Sequence, residues 1–165
     1  MDKNKENQKF FFYTPEIFYK DSNLLVKKIK DDIQKDKPFE IALGIARGGI
    51  VLAYYIATNL NISKFYTIRL KSYINMEQNT MEIIQEPPWE KMRDKKVLLI
   101  DDLVDNGITA KYLFNLLRIH EIKDFKFAVL VNKQKDPTLK PDYFVRTSDK
   151  WISFFWEQSY SEMRI

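Results

Sequence analysis

Apolar residues recur along this chain at two spacings, and the change from one to the other outlines its elements. Leu25, Ile29 and Ile33 fall four residues apart behind Thr14-Pro15-Glu16. A hydroxyl cap, a proline at the first helical position and an acid in the first turn mark a helix start there. That helix is expected to end at Lys35-Asp36-Lys37-Pro38. Phe39 to Ala46 is an apolar run of strand length that stops at Arg47-Gly48-Gly49, and Ile50 to Leu60 suits a buried helix. Phe65 to Leu70 and Lys96 to Ile100 read as strands, Thr109 to Ile119 as a helix, and Phe127 to Val131 as a further strand. An aromatic piece, Trp151 to Trp156, closes the pattern. Tyr73 to Trp89 is polar and aperiodic and ends in Pro87-Pro88, so it reads as a long surface loop or ribbon. A loop of that length in a compact domain is usually functional or disordered.

Strands alternating with helices predict an α/β fold, with a central, mostly parallel sheet flanked by helices on both faces. The 165 residues suit one domain, read here as residues 1–165 with a polar tail over 1–9. In such sheets ligands lie beyond the carboxyl ends of the strands. Arg47-Gly48-Gly49 and Asp101-Asp102 both stand at such ends.

Composition narrows the class without naming a chemistry. A hydrophobic share of 45% with 30% charged residues is that of a globular chain. The chain has no cysteine, which excludes disulfides and thiolate metal sites and suits a cytoplasmic location. No apolar run approaches the length of a transmembrane segment, and nothing reads as a nucleic-acid-binding segment. The net charge of +4 is compatible with an anionic substrate.

The chemistry concentrates in Leu98-Leu99-Ile100-Asp101-Asp102-Leu103-Val104-Asp105-Asn106-Gly107-Ile108-Thr109. After the strand the chain must turn into a helix, whose first N–H groups lack internal partners and carry partial positive charge, as a phosphate site needs. Gly107 lets the backbone approach a ligand, and the Thr109 hydroxyl adds a donor. The carboxylates cannot take phosphate, but they accept hydrogen bonds from sugar hydroxyls and suit Mg²⁺, a hard ion that prefers oxygen. A ribose carrying phosphates satisfies both halves of the motif. Taken alone, Asp101-Asp102 could equally cap a strand end, and Gly48-Gly49 could be a plain strand-to-helix turn.

The twelve-residue stretch resembles the fingerprint of the type I phosphoribosyltransferases, and the resemblance extends from about Phe39 to Glu157. It takes in Ala46-Arg47-Gly48-Gly49-Ile50, Lys71-Ser72-Tyr73, Lys133, and Trp151-Ile152 with Trp156-Glu157. It implies that fold with a small aromatic hood over 133–165, a mobile loop over 73–89 and a cis peptide at Ala46-Arg47. The implied substrates are 5-phosphoribosyl 1-diphosphate and a 6-oxopurine, with Mg²⁺ as cofactor and a homodimer or homotetramer as the assembly. The implied diphosphate and phosphate contacts are Arg47, Gly48, Gly49, Asp101, Asp102, Asn106, Gly107, Ile108 and Thr109. Asp102 also meets the metal, and Asp105 handles a proton at N7. Lys133, Trp151, Ile152 and Glu157 would form the base site, with Lys133 facing O6 and Trp151 stacking. Asn106 stands where the family has threonine, and Asn79 where related enzymes carry a loop arginine. Arg69 and Lys71, on one face of their strand, are the alternative source of positive charge. Transfer to another base, or a regulator that keeps the fold without turnover, are the competing readings. His120, near a helix end, reads as structural.

Overall fold

The computed structural model describes residues 10–74 and 79–157. Along the chain run β1 (Phe10–Tyr13), α1 (Pro15–Ile33), β2 (Ile41–Ala46), α2 (Gly49–Asn59), β3 (Lys64–Ile74), β4 (Asn79–Gln85) and β5 (Val97–Ile100). They continue with β6 (Leu103–Val104), α3 (Ile108–Ile119), β7 (Phe125–Ala128), β8 (Val131–Asn132), β9 (Arg146–Thr147) and β10 (Trp151–Phe154). The main sheet has the order β4-β3-β2-β5-β7. Its strands are parallel except for β4, which returns antiparallel to β3.

Both faces of this sheet are buried, and the period of two along each strand divides them. Ala42, Leu98 and Ile100 pack with Leu25 and Ile29 of α1 and with Leu52 and Ile56 of α2. Ile41, Leu43, Ile45 and Leu99 pack with Ala110, Leu113 and Leu117 of α3. Successive residues pointing to opposite faces therefore both find a core, which is why these strands read as continuous apolar runs. Thr14 caps α1 as its sequence predicts, its hydroxyl accepting from the Ile17 N–H at 3.3 Å.

Two segments refine the expectation. Of the loop or ribbon expected over 73–89, the described part is a ribbon: β3 extends to Ile74, and β4 pairs with it from Asn79 to Gln85. Only 75–78 lies outside the described residues. β4 is an edge strand on which Met81 and Ile83 alternate with exposed positions, too few apolar residues to show a period of two. Trp89 is buried at the end of this segment, donates from Nε1 to Glu86 at 3.1 Å, and stacks on His120 with ring centroids 4.3 Å apart. That contact makes His120 a helix-end packing residue.

The run Phe127 to Val131 is not one strand. β7 ends at Ala128, the Leu130 N–H bonds to the Asp102 carbonyl, and β8 joins a separate sheet of order β6-β8-β9. The break follows the end of its neighbour β5 at Ile100, beyond which the main sheet offers no ladder.

β1, which the sequence pattern does not disclose, pairs parallel with β10, Phe10 against Trp151 through Tyr13 against Phe154. Asp21 of α1, 1% exposed, ties this ribbon down. It accepts from the Tyr13 hydroxyl at 2.5 Å and from both Nε and Nη2 of Arg146, the latter at 3.0 Å. Burial and the adjacent Asp21 carboxylate push the Tyr13 hydroxyl far above its ordinary range, so it stays a donor. Removing one partner of a buried pair costs about 3–5 kcal/mol, and the partial exposure of Arg146 lowers this. Asp21→Asn is therefore expected to lose about 2–3 kcal/mol, read by denaturant unfolding. A loss below about 0.5 kcal/mol would show that the cluster behaves as a surface pair.

Candidate active site

β2 and β5 lie side by side in register, with Gly44 opposite Ile100. The turns that follow them, Arg47-Gly48-Gly49 and Asp101-Asp102, therefore meet at the carboxyl edge of the sheet. The Ala46–Arg47 peptide is cis. A Cβ on Gly48 would stand 1.9 Å from Asp102 Oδ2, and one on Gly49 would stand 2.8 Å from the Asp101 Cα. At Gly49 the clash is with backbone, so the contact between the turns requires glycine there, whereas at Gly48 a side chain would have to displace the Asp102 carboxylate. A cavity of about 240 Å³ opens here, lined by Arg47, Gly48, Asp101, Asp102, Thr109 and Glu157 among others. Leu70 and Met81 bring the β3–β4 hairpin to its wall. Arg69 and Lys71 are not among the residues that line this cavity.

The carboxyls in this cavity are under electrostatic load. Burial drives Asp101 well above the ordinary carboxylate range, and the charge of Asp102 adds to it. Burial also raises Asp102, to about 6, with Glu157 contributing, although a bond from the Leu103 N–H opposes the shift. Their geometry is nonetheless fixed: Asp101 Oδ1 accepts from the Asp102 N–H at 2.9 Å, and Asp102 Oδ1 from the Leu103 N–H at 2.7 Å.

A second cavity, also about 240 Å³, runs along the turn from Asp101 to Gly107 and shares Thr109 with the first. Gly107 has φ +74° and caps α3 with no side chain of its own to bond the first-turn N–H groups. Asn106 uses its Oδ1 to accept from the Ile108 N–H at 3.1 Å, which shapes the turn from within. The side chain of Ile108 is exposed, and its N–H is already held by Asn106.

A third cavity, about 520 Å³, adjoins the turn and is lined by Asp105, Lys133, Gln134, Thr147, Ser148 and Asp149 among others. Lys133 Nζ lies 3.4 Å from Asp105 Oδ1. Sequence reading singled out both residues but not their pairing, which the parallel alignment of β6 with β8 creates. It also missed Gln134, Thr147, Ser148 and Asp149, which carry no motif. Trp151 and Ile152 do not line this cavity. Trp151 is 63% exposed on the outer face of the β1–β10 ribbon beside Phe10, whereas Ile152 is buried against a separate cavity of about 300 Å³ that shares Thr147 and Ser148. Glu157 stands apart from Lys133 at the first cavity, its Oε2 accepting from the Phe154 N–H at 3.1 Å.

A carboxyl raised from 3.8 to about 6 on folding favours the folded state at low pH and loses that contribution as pH rises through about 4 to 6. Asp102→Asn keeps an oxygen for the Leu103 N–H and removes the charge. In the ligand-free protein it is expected to gain about 1–3 kcal/mol at pH 8 and almost nothing at pH 4. Melting shifts of equal size at both pH values would refute the electrostatic cost.

Comparison with known proteins agrees with this geometry. Residues 13–162 match the family described as phosphoribosyl transferase domain. The chain is 30% identical over 162 residues to xanthine-guanine phosphoribosyltransferase of Cereibacter sphaeroides, covering 96% of this chain and 93% of the relative. A solved xanthine-guanine-hypoxanthine phosphoribosyltransferase of Helicobacter pylori superposes with TM-score 0.75 at 30% identity, over 90% of this chain and 94% of that one. Purine phosphoribosyltransferase of Pyrococcus horikoshii superposes with TM-score 0.77 at 24% identity, over 92% and 96% of the respective chains. Carboxylates at the end of one parallel strand, a glycine turn at the end of its neighbour and a family match spanning both place this chain in the phosphoribosyltransferase family.

Proposed function

We propose that this protein transfers the 5-phosphoribosyl group of 5-phosphoribosyl 1-diphosphate to a 6-oxopurine, releasing diphosphate, as a purine salvage enzyme of the cytoplasm. The observation that carries the choice of base is the Lys133–Asp105 pair at 3.4 Å in one cavity. A free 6-oxopurine protonated on N7 presents the O6 acceptor beside an N7–H donor, whereas adenine presents an amino group beside N7. An ammonium has three donors and no acceptor. Lys133 can therefore keep Asp105 while donating to O6, and it repels the amino group of adenine. The 30% identity to a xanthine-guanine enzyme over nearly the whole chain supports the same reading.

The steps follow from the residues. Arg47, Gly48 and Gly49 receive the diphosphate, while the turn from Asn106 to Thr109 receives the 5-phosphate with backbone N–H groups at the start of α3. Asp101 and Asp102 accept from ribose hydroxyls. The base arrives with its proton on N7. As the bond from C1 to diphosphate breaks, the N9 lone pair forms the new bond to C1, and the N7 proton passes to Asp105. Oxocarbenium character at C1 is stabilised by the nearby carboxylates. The Trp151 ring has to swing from its exposed position to cover the base, with the Ile152 backbone behind it.

Mg²⁺ fits the donor set: Asp102 and Glu157 bring oxygen ligands to a cavity whose burial penalises uncompensated carboxylates. Among the described residues no group of three acids is arranged to hold a metal, so diphosphate oxygens would complete the coordination. The ion would neutralise charge on the departing diphosphate. A homodimer or homotetramer is part of this proposal, supported by Tyr19 and Tyr54, which stand more than half exposed on α1 and α2. No described helix is long and apolar enough to cross a membrane.

Diphosphate release is measured with 5-phosphoribosyl 1-diphosphate, Mg²⁺ and each base in turn. Guanine, xanthine or hypoxanthine should react, with adenine slower by about 10⁴; efficient turnover of adenine or orotate overturns the base assignment. Asp105→Asn should fold normally and lose about 10² to 10⁴ in kcat, and a loss of only a few-fold refutes proton transfer to Asp105. Lys133→Ala should raise KM for every 6-oxopurine while sparing KM for 5-phosphoribosyl 1-diphosphate.

A further inference from the structure

Between the base cavity and the phosphate turn lies one side chain that touches both. Gln134 Nε2 donates to the Asp105 carbonyl at 3.3 Å, and its Oε1 accepts from the Lys135 and Asp136 N–H groups at 2.8 Å each. Its own N–H donates to the side chain of buried Asn132 at 2.9 Å. The amide also lies flat against Gly107, where a Cβ would stand 2.4 Å from Nε2. One residue earlier, the Lys133 N–H donates to the Val104 carbonyl at 2.9 Å.

We propose that Gln134 is a positioning residue that holds the Asp105-Asn106-Gly107 turn in its phosphate-binding shape from the base side of the site. The proposal rests on the phosphoribosyl-transfer reading and extends it to a residue outside the family fingerprint. The two ends of the amide have separate duties. The oxygen fastens Gln134 to its own segment, and the nitrogen fastens that segment to the turn. Gly107, in a left-handed conformation with no side chain, has little of its own to resist a change of shape. A turn that presents N–H groups to a phosphate must hold them to within a fraction of an ångström, which asks for a neighbour fixed by its own hydrogen bonds. Gln134 meets that requirement because Asn132, Lys135 and Asp136 all constrain it. Lys133 and Gln134 then grip Asp105 at its two ends, carboxylate and carbonyl, so the group that takes the purine proton is oriented by the same segment that reads the base.

The duties separate in two variants. Gln134→Glu keeps an oxygen for Lys135 and Asp136 but turns the donor into an oxygen facing the Asp105 carbonyl. Gln134→Met keeps the length and removes both. Affinity for 5-phosphoribosyl 1-diphosphate with Mg²⁺, measured by calorimetry without a base, should fall about fivefold to tenfold in both. The melting temperature of Gln134→Glu should stay within about 2 °C of wild type, the expected range for a surface-level change. A merely structural cap predicts a split between the variants, with Gln134→Glu binding as wild type and Gln134→Met alone impaired, and that result overturns the proposal. So does wild-type affinity in both variants. If the wild type binds no 5-phosphoribosyl 1-diphosphate, the functional reading falls together with the proposal. If it binds but transfers no purine, the base assignment falls while the comparison of variants still decides the role of Gln134.

Discussion

The close approach of two turns at the carboxyl edge of the sheet, Gly48-Gly49 against Asp101-Asp102, is the contact on which the site depends. β2 and β5 run parallel, adjacent and in register, so their ends arrive at the same level and the backbones that leave them must pass each other. A Cβ on Gly49 would stand 2.8 Å from the Asp101 Cα and the Ile100 carbonyl oxygen, which the backbone cannot relieve by moving a side chain. The close approach also encloses the two carboxylates, and that burial is the largest cause of their raised proton affinity. One packing requirement thus forms the cavity, sets its electrostatic demand for cations and polar hydrogens, and costs stability in the absence of ligand. A site that is destabilised when empty gains most from a ligand that brings positive charge and hydroxyl donors.

The other half of the site depends on where β7 stops. Because β5 ends at Ile100, its neighbour loses its ladder at Ala128 and the chain crosses to pair as β8 with β6. That short parallel pairing lays Lys133 beside Asp105 and Gln134 beside Gly107. Lys133 and the turn at Asp105 to Gly107 are therefore neighbours through two residues of sheet, not through any nearness in the chain. The β1–β10 ribbon, held by Asp21, Tyr13 and Arg146, leaves Trp151 exposed on its outer face, outside the lining of the cavity that holds Lys133 and Asp105.

Sequence by itself determined the parallel strands of the main sheet, the three helices and the family. β2 and β5 are buried on both faces and so carry unbroken apolar runs, α1 carries its cap, and the carboxylates and glycines are local in the chain. Three of the chain's four glycines fall in the two turns of the site, each at a point where the backbone has no room or an unusual φ. Such positions leave a mark on composition that a single sequence can show. The β3–β4 hairpin, the split of Phe127 to Val131 and the pairing of β1 with β10 left no such mark. An edge strand with one wet face needs few apolar residues, and four aromatic residues before a helix cap have no period of their own.

Tertiary structure alone decided which named residues share a cavity. Lys133 and Asp105 stand together, Glu157 belongs with Asp102 and not with Lys133, Trp151 faces outward, and Gln134 links the base cavity to the phosphate turn. The physical reason is that strand register and crossover, which sum weak contacts over the whole sheet, set distances between residues far apart in the chain. A motif states only what lies within one turn of backbone.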